Sequence, residues 1–126
     1  MFVVEQQCLA PELDDRDGEP GTWHCWIEEG GGVVAYLRIL AEPDGSRIGR
    51  VVTAPGARGS GYASRLMWHA LGLATPPVVV HAQVTLEGWY AGFGFARVGP
   101  EFTEGRIPHV RMRYHSQRRH AFDVER

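Results

Sequence analysis

The most informative segment of this chain is Val51-Val52-Thr53-Ala54-Pro55-Gly56-Ala57-Arg58-Gly59-Ser60-Gly61-Tyr62-Ala63, in which a predicted strand runs through a glycine-rich turn into a predicted helix. The first-turn N–H groups of a helix have no intrahelical acceptors and carry the positive end of the helix dipole. Gly59 and Gly61 leave the backbone open to a phosphate, and Arg58 adds a positive charge. The segment therefore predicts an anion site, although a plain glycine turn has the same pattern.

Two common phosphate-binding motifs are absent from this segment. The dinucleotide pattern Gly-x-Gly-x-x-Gly fails because residue 64 is Ser, and the P-loop pattern fails because it needs a lysine. All 13 basic residues are arginines, which also excludes a Schiff-base lysine and a lysine general base. Asparagine is missing as well, and GC-rich codon usage explains both gaps simply.

Length and composition predict one globular domain inside the cell. The chain has 126 residues, of which 44% are hydrophobic and 22% charged. No apolar run approaches the roughly 18 residues that a membrane helix needs, and the start does not resemble a signal peptide. Cys8 and Cys25 are too few for a disulfide scaffold. We therefore expect a cytoplasmic protein with two reduced thiols.

Charge is distributed unevenly along the chain, although the net charge is only −2. Residues 1–46 contain ten carboxylates and two arginines, whereas residues 47–126 contain eleven arginines and five carboxylates. An acidic first part favours a cationic ligand and a basic second part an anionic one, but the two parts can also neutralise each other in the fold.

Hydrophobic periodicity and turn residues predict the order of the secondary structure elements. Strands are expected at residues 22–28, 33–40, 47–53, 78–82, 95–98 and 108–114. Apolar residues at positions 63, 66, 67, 70 and 71 predict an amphipathic helix, and a shorter helix is expected between an N-cap at Thr85 and a C′ glycine at Gly94.

The resulting order, β-β-β-α-β-α-β-β, predicts a single α/β domain of the mixed α+β kind over residues 1–126. A strand–helix–strand crossover requires a parallel pair and the hairpins require antiparallel pairs, so the sheet is mixed and carries helices on its faces. Residues 115–126 are polar and are expected to form a flexible tail.

Two motifs resemble the GNAT superfamily of N-acetyltransferases. Arg58, Gly61 and Ala63 match the superfamily's (Arg/Gln)-x-x-Gly-x-(Gly/Ala) motif. Residues 90–95, Tyr-Ala-Gly-Phe-Gly-Phe, resemble its Tyr-x-x-x-Gly-Phe segment. Both motifs have the expected order and spacing, and the predicted elements are similar to those of the GNAT acyl-CoA N-acyltransferase fold.

Three shorter segments resemble the ElaA-like subgroup of this superfamily: residues 3–6 (Val-Val-Glu-Gln), 47–51 (Arg-Ile-Gly-Arg-Val) and 107–109 (Ile-Pro-His). The resemblance extends from residue 2 to about residue 113. The chain also departs from the family pattern. The usual first strand is expected to be missing, Gln83 stands where relatives often have Asn, and Val78 stands where some have a carboxylate.

The resemblance implies acetyl-CoA as co-substrate and a primary amine as acceptor. The pyrophosphate would contact the N–H groups from Gly59 to Ser64, and the pantetheine arm would pair with the backbone from Val51 to Thr53. An N–H group near Val52 would hold the oxyanion of the tetrahedral intermediate. Gln83 is a further expected cofactor contact. The amine would attack the thioester directly, without an enzyme nucleophile.

Tyr90 is the candidate general acid for the leaving thiolate, on the basis of a reference pKa of about 10 for tyrosine against about 8.5 for a thiol. Its apolar neighbours Leu86, Trp89 and Phe93 suit a core tyrosine equally well. Both interpretations stay open at the level of the sequence.

The base that deprotonates the amine is not identified by any motif, and the candidates are Glu5, His24, His81, Glu104 and His109. Glu5 and His24 are the tentative choices, either as base or as contacts to the acceptor. Glu5 can also be an exposed residue at a helix end, and His24 a hydrogen-bonded structural residue. His109 also suits a hydrogen-bonded strand residue. No pair of histidines has ligand-like spacing, so we expect no metal.

An N-acetyltransferase acting on a small amine or a peptide amine is the favoured function. The alternative is a catalytically degenerate acyl-CoA-binding module with a regulatory role. A nucleic-acid-binding role would depend on the arginines of residues 111–119, which better suit a solvated surface. No membrane association is expected, and an unpaired sheet edge would favour a homodimer.

Overall fold

A computed structural model describes the backbone of residues 4–9 and 22–115 and the side chains of residues 22–115. The chain divides into two compact units, residues 1–76 and residues 77–126. The elements of the first unit are β1 (Val4–Leu9), β2 (Trp23–Glu29), β3 (Gly32–Glu42), β4 (Gly45–Thr53) and α1 (Tyr62–Leu73). Those of the second unit are β5 (Val78–Gln83), α2 (Glu87–Ala91), β6 (Phe95–Glu104) and β7 (Ile107–Tyr114).

In the first unit, the strands pair in sequence order, and each is antiparallel to the next. Helix α1 packs against β2, β3 and β4. Six inward side chains from these strands and from the apolar stripe of α1 are 0% exposed: Cys25, Ile27, Leu37, Leu66, Met67 and Ala70. Full burial of a leucine or isoleucine contributes about 1.5–3 kcal/mol, so this layer holds α1 on the sheet. The predicted strand and helix periodicities are confirmed here.

Strand β1 is missing from the predicted order, which begins one strand too late. Its sequence, Val-Glu-Gln-Gln-Cys-Leu, alternates poorly. The strand is instead defined by its partner β2, since Val4 lies opposite Glu29 and Leu9 opposite His24. Glu5 therefore lies within a strand, opposite Glu28, and the interpretation of a helix-end residue is wrong. The expected lack of the family's first strand concerns other residues and stays a prediction.

Cys25 is disulfide-bonded, so the prediction of two reduced thiols is wrong. The chain has two cysteines, and the partner is therefore Cys8, which lies directly opposite Cys25 in the β1–β2 register. Cysteine number and spacing could not reveal this bond, because it depends on the pairing of two strands. The bond joins β1 to the centre of β2.

In the second unit, β7 pairs antiparallel with β5 on one side and with β6 on the other. Val80, Val110 and Met112 form its buried centre and are at most 1% exposed. Strand β6 runs six residues beyond the predicted end at residue 98. The register shifts between Arg97 and Glu101, so Gly99 and Pro100 lie in a bulge inside the strand.

Helix α2 is shorter than predicted. Val84–Leu86 forms a 3₁₀ turn, so Thr85 lies inside that turn and does not cap the helix. Gly94 lies beyond the C′ position, with φ of 117°. A Cβ at Gly94 would come within 2.9 Å of the carbonyl oxygen of His115, which explains the need for glycine there. The predicted tail lies outside the described residues, except for His115.

Candidate functional site

Two glycines give the loop between β4 and α1 its conformation. Gly59 has φ of 85° and Gly61 has φ of 82°, in the left-handed region that other residues rarely adopt. A Cβ built on either glycine would meet no heavy atom within 4 Å. The space over this backbone is therefore open, as a phosphate-binding turn requires.

The N-terminus of α1 opens onto the same loop, with Gly61 as its N-cap. The N–H of Arg65 donates to the carbonyl of Gly61 at 3.0 Å, which is the first bond of the helix ladder. The N–H groups of residues 62–64 have no intrahelical acceptor, and Gly61 brings no side chain to cap them. Together with the helix dipole and the exposed Arg58, these groups can bind an anion.

One predicted donor of this loop is already engaged. The N–H of Ser60 donates to the carbonyl of Ala57 at 3.3 Å and closes the turn. The donors that can face a ligand are therefore concentrated in the first turn of α1.

Tyr62 connects the start of α1 to the end of β2. Its hydroxyl makes a hydrogen bond with the carboxylate of Glu29, and this bond raises the pKa of Tyr62. From the sequence, we expected Tyr62 to act through its backbone and missed this side-chain contact.

A bulge in β4 precedes the segment that is expected to bind the pantetheine arm. The register with β3 shifts between Tyr36 and Arg38, so one residue of β3 faces both Arg50 and Val51. Arg50 has φ of 55°, which is unusual for a residue with a side chain. Bulges bend a strand and occur next to functional sites. Val52 follows the bulge, and 56% of it is exposed.

The N–H directions along β4 narrow the predicted oxyanion contact. Ala54 donates its N–H to the carbonyl of Val34 in β3, at 2.9 Å. N–H groups alternate in direction along an antiparallel strand, so that of Val52 also points to β3 and that of Thr53 points away. The predicted contact near Val52 therefore falls to a neighbouring N–H group, that of Thr53 or of the bulge residue Val51.

His24 and Tyr36 form a hydrogen-bonded pair in the first unit. The Nδ1 atom of His24 lies 2.6 Å from the hydroxyl oxygen of Tyr36, and the rings stack with centroids 5.9 Å apart. Tyr36 lies opposite Val52 in the β3–β4 register, so both side chains lie on one face of the sheet. From the sequence we predicted His24 and missed Tyr36, because only the β2–β3 pairing brings the two together.

The same face of β2 continues with Trp26 and Glu28. The indole N–H of Trp26 donates to a carboxylate oxygen of Glu28 at 3.0 Å. Glu5, the other tentative base, lies opposite Glu28 on β1, and its side chain is outside the described part. The two tentative base residues are thus on neighbouring strands.

Tyr90 is only 7% exposed, in α2 of the second unit. The rings of Trp89 and Phe95 pack edgewise against it, with centroids 4.9 and 5.8 Å away. This burial raises the pKa of Tyr90 to about 12. Proton transfer from such a phenol to a thiolate of pKa about 8.5 is unfavourable by about 5 kcal/mol. Tyr90 therefore suits hydrogen-bond donation better than full proton transfer, and its catalytic role stays a prediction.

The other base candidates are engaged within the second unit. Arg111 donates to Nε2 of His81 at 3.1 Å, so that nitrogen's lone pair is occupied. Nδ1 of His81 lies 3.7 Å from the carboxylate of Glu104. His109 donates from Nδ1 to the carbonyl of Ile107 at 2.8 Å, which confirms it as a hydrogen-bonded strand residue.

Three further observations concern cofactors and membranes. Gln83 is exposed at the end of β5 and lies opposite His109. Among residues 22–115, no three side chains of His, Cys, Asp or Glu group together as metal ligands would. Neither helix of that range has the length and apolar character needed to cross a bilayer.

Comparison with known proteins gives consistent matches. A family model described as "Acetyltransferase (GNAT) domain" matches residues 2–116. A UPF0039 protein of Mycobacterium tuberculosis is 44% identical over 118 residues, covering 89% of this chain and 76% of the relative. Protein ElaA of Escherichia coli is 34% identical over 120 residues, covering 89% of this chain and 78% of the relative.

Solved structures agree with these matches. The crystal structure of Escherichia coli ElaA has a TM-score of 0.79 at 25% identity, covering 90% of this chain and 100% of the other. An acyl-CoA N-acyltransferase from Pseudomonas aeruginosa has a TM-score of 0.72 at 35% identity, covering 79% of this chain and 72% of the other. The predicted fold class, a mixed α+β acyl-CoA N-acyltransferase fold, is confirmed.

Proposed function

This chain belongs to the GNAT superfamily, in its ElaA-like subgroup, and on that premise we propose that it transfers an acetyl group from acetyl-CoA to a primary amine. The N-terminus of α1 carries the proposal. There, Gly59 and Gly61 leave open backbone, and the N–H groups of residues 62–64 have no intrahelical acceptor. Such a terminus suits the pyrophosphate of coenzyme A.

Acetyl-CoA is the co-substrate in this proposal. Its pyrophosphate would accept hydrogen bonds from the first turn of α1, with the charge of Arg58 beside it. Its pantetheine arm would add alongside β4 at residues 51–53, as an extra strand does. The N–H of Thr53, which points away from β3, supports this arrangement.

The reaction is a direct acyl transfer. The amine nitrogen attacks the thioester carbon, and the carbonyl π electrons move onto oxygen. An N–H from Thr53 or Val51 stabilises that oxyanion. Collapse of the intermediate restores the carbonyl and breaks the C–S bond, whose electrons leave with sulfur.

Tyr90 stays our proposed partner of the leaving sulfur, from its place in the family's tyrosine motif. Because burial raises its pKa to about 12, its phenol keeps its proton at neutral pH. The phenol would donate a hydrogen bond to the departing thiolate, and solvent would supply the proton that completes the thiol.

Two measurements on the full chain test the proposal: calorimetric titration with acetyl-CoA, and release of the CoA thiol with a panel of amines. The panel contains a diaminoalkane, phenylethylamine, an aminoglycoside and a peptide with a free N-terminus. We expect binding, and thiol release with at least one of these classes.

Gly61→Trp tests the phosphate site itself, because the indole would fill the space over the loop. Gly30→Trp is its matched control, since Gly30 also has positive φ and open space around it but lies in the β2–β3 turn. We expect acetyl-CoA binding to be lost in the first variant and kept in the second. Normal binding by Gly61→Trp would show that the phosphate is held elsewhere.

A catalytically degenerate acyl-CoA-binding module is the alternative outcome. Binding of acetyl-CoA without thiol release across the whole amine panel would favour it. The cytoplasmic location and the homodimer stay predictions, and size-exclusion chromatography with light scattering would test the latter.

A further inference from the structure

We infer that Tyr36 and His24 together form the proton acceptor for the attacking amine, with Tyr36 in contact with the nitrogen and His24 acting through Tyr36; the inference rests on the proposed function. It assigns a role to Tyr36, which no sequence motif indicated. It also gives His24 a defined partner and a defined nitrogen atom.

The geometry of the pair suits proton transfer. The separation of 2.6 Å between Nδ1 of His24 and the hydroxyl oxygen of Tyr36 is at the short end for a hydrogen bond involving a hydroxyl. The rings are stacked, with their planes within 24° of parallel. Both side chains are half-buried, so the bond is partly shielded from water.

The position of the pair on the sheet suits the proposed reaction. Tyr36 lies opposite Val52, and directly opposed side chains of an antiparallel pair have Cβ atoms about 4.5–5.5 Å apart. The proposed thioester lies along residues 51–53, and Val52 leaves that face open because 56% of it is exposed. The proposed arm adds on the side of β4 away from β3, so the phenol lies one strand from it, on the face of the sheet that Val52 shares.

The proton balance of the step is as follows. As the C–N bond forms, the nitrogen becomes positively charged and has to lose a proton. The hydroxyl oxygen of Tyr36 takes that proton while its own proton passes to Nδ1 of His24. The phenol ends neutral and the imidazole ends as imidazolium, which later returns its proton to solvent. A neutral phenol alone is too weak a base to take the proton, so the step also needs His24 to accept the proton of the phenol.

Charged groups on the surrounding strands influence this proton transfer. Arg38 lies opposite His24 on β3, and Arg50 lies at the bulge of β4. Glu28 lies further along β2, and Glu5 lies opposite it on β1. The pH dependence of the reaction would report the combined effect of these groups on the pair.

The first test compares Tyr36→Phe and His24→Gln with the wild type, using the amine of the panel that gives the fastest thiol release. We expect kcat/KM at pH 7 to fall about 100-fold in both variants, the usual order for loss of a positioned proton acceptor. The fall in kcat/KM should become smaller as pH rises towards the pKa of the amine. More of the amine is then already deprotonated in solution and does not need a proton acceptor on the protein. The acetyl-CoA dissociation constant should stay unchanged.

Two matched controls remove the same chemical groups elsewhere. Tyr114→Phe removes a phenol oxygen from β7, and His69→Gln removes an exposed imidazole from α1. Both should keep the kcat/KM of the wild type at every pH. An equal loss at every pH in Tyr36→Phe, or a weakened affinity for acetyl-CoA, would mean a structural pair and overturn the inference.

A second test does not depend on turnover. The route requires Nδ1 of His24 to accept from the phenol, so the imidazole proton must lie on Nε2. Long-range ¹H–¹⁵N NMR of histidine-labelled protein distinguishes the two tautomers, and His24→Gln assigns the signal. A proton on Nδ1 of His24 would overturn the relay. If the wild type binds acetyl-CoA but releases no thiol with any amine, the proposed function is wrong. The tautomer of His24 would then still show whether its Nδ1 accepts a hydrogen bond from Tyr36, as the relay requires.

Discussion

Cys8 and Cys25 face each other across the β1–β2 pair, and a disulfide bond joins them. The bond closes a loop of about 17 residues, and a cross-link of that span removes roughly 3 kcal/mol of conformational entropy from the unfolded chain in the chain-entropy model. Strand β1 carries Glu5, one of the tentative acceptor contacts. The disulfide therefore connects the stability of the first unit to the strand that bears that residue.

Cys8→Ser should lower the free energy of unfolding by about 3 kcal/mol. Cys8 is the better position to change, because Cys25 is fully buried and its substitution would also disturb the packing against α1. Urea unfolding with and without dithiothreitol measures the effect. Reduced wild type should match the variant, and the variant itself should not respond to reductant. Identical wild-type curves in both buffers would contradict the prediction.

Tyr90 should make the protein less stable in alkaline solution. Burial raises its pKa to about 12 from 10.0, so between these values the unfolded chain loses the proton and the folded chain keeps it. Stability therefore falls as pH rises through this window, by about 2–3 kcal/mol in total. Unfolding curves from pH 9 to pH 12 should show a steeper decline for the wild type than for Tyr90→Phe. Tyr114→Phe is the control and should follow the wild type; parallel slopes for all three proteins would count against the prediction.

Gly94→Ala should destabilise the second unit for two reasons. Gly94 has φ of 117°, which side chains rarely allow. A new Cβ would also lie 2.9 Å from the backbone oxygen of His115. That oxygen cannot easily move away, because the N–H of His115 donates to the carbonyl of Gly94 at 2.9 Å. Backbone strain of this kind costs about 1–3 kcal/mol, and the contact adds to it. Thermal unfolding measures the loss. Gly99→Ala, where a Cβ meets nothing within 4 Å, should have a smaller effect.

The parts of the fold that the sequence revealed are those set by local chemistry. The turn at Gly59 and Gly61 could be identified because backbone conformation is encoded by neighbouring residues, and the observed φ values confirm the need for glycine. Helix α1 could be predicted because its apolar stripe repeats within one segment. The first-turn N–H groups follow from the position of the helix start alone.

The parts that the sequence did not reveal depend on strand register. The Cys8–Cys25 bond and the Tyr36–His24 pair both require β2 to pair at one particular offset with its neighbours. Offsets of that kind are set by packing across the whole sheet, and a shift of one residue would place each side chain on the opposite face. The pKa of Tyr90 likewise follows from burial, which no reference value contains.

Arg58→Gln should weaken acetyl-CoA binding modestly and in a salt-dependent way. Arg58 is exposed, so its attraction for a pyrophosphate acts through solvent and is screened by ions. We expect a loss of affinity of about two- to fivefold at low ionic strength, the usual order for an exposed charge pair. Calorimetric titrations at low salt and at about 1 M salt, where the Debye length falls to about 3 Å, measure the difference between variant and wild type. Arg113→Gln, an exposed arginine on β7, is the control and should bind as the wild type does. If the ratio of the two dissociation constants, variant to wild type, is the same at both salt concentrations, Arg58 holds the ligand by a direct hydrogen bond. The helix N–H groups would then contribute less to binding than proposed.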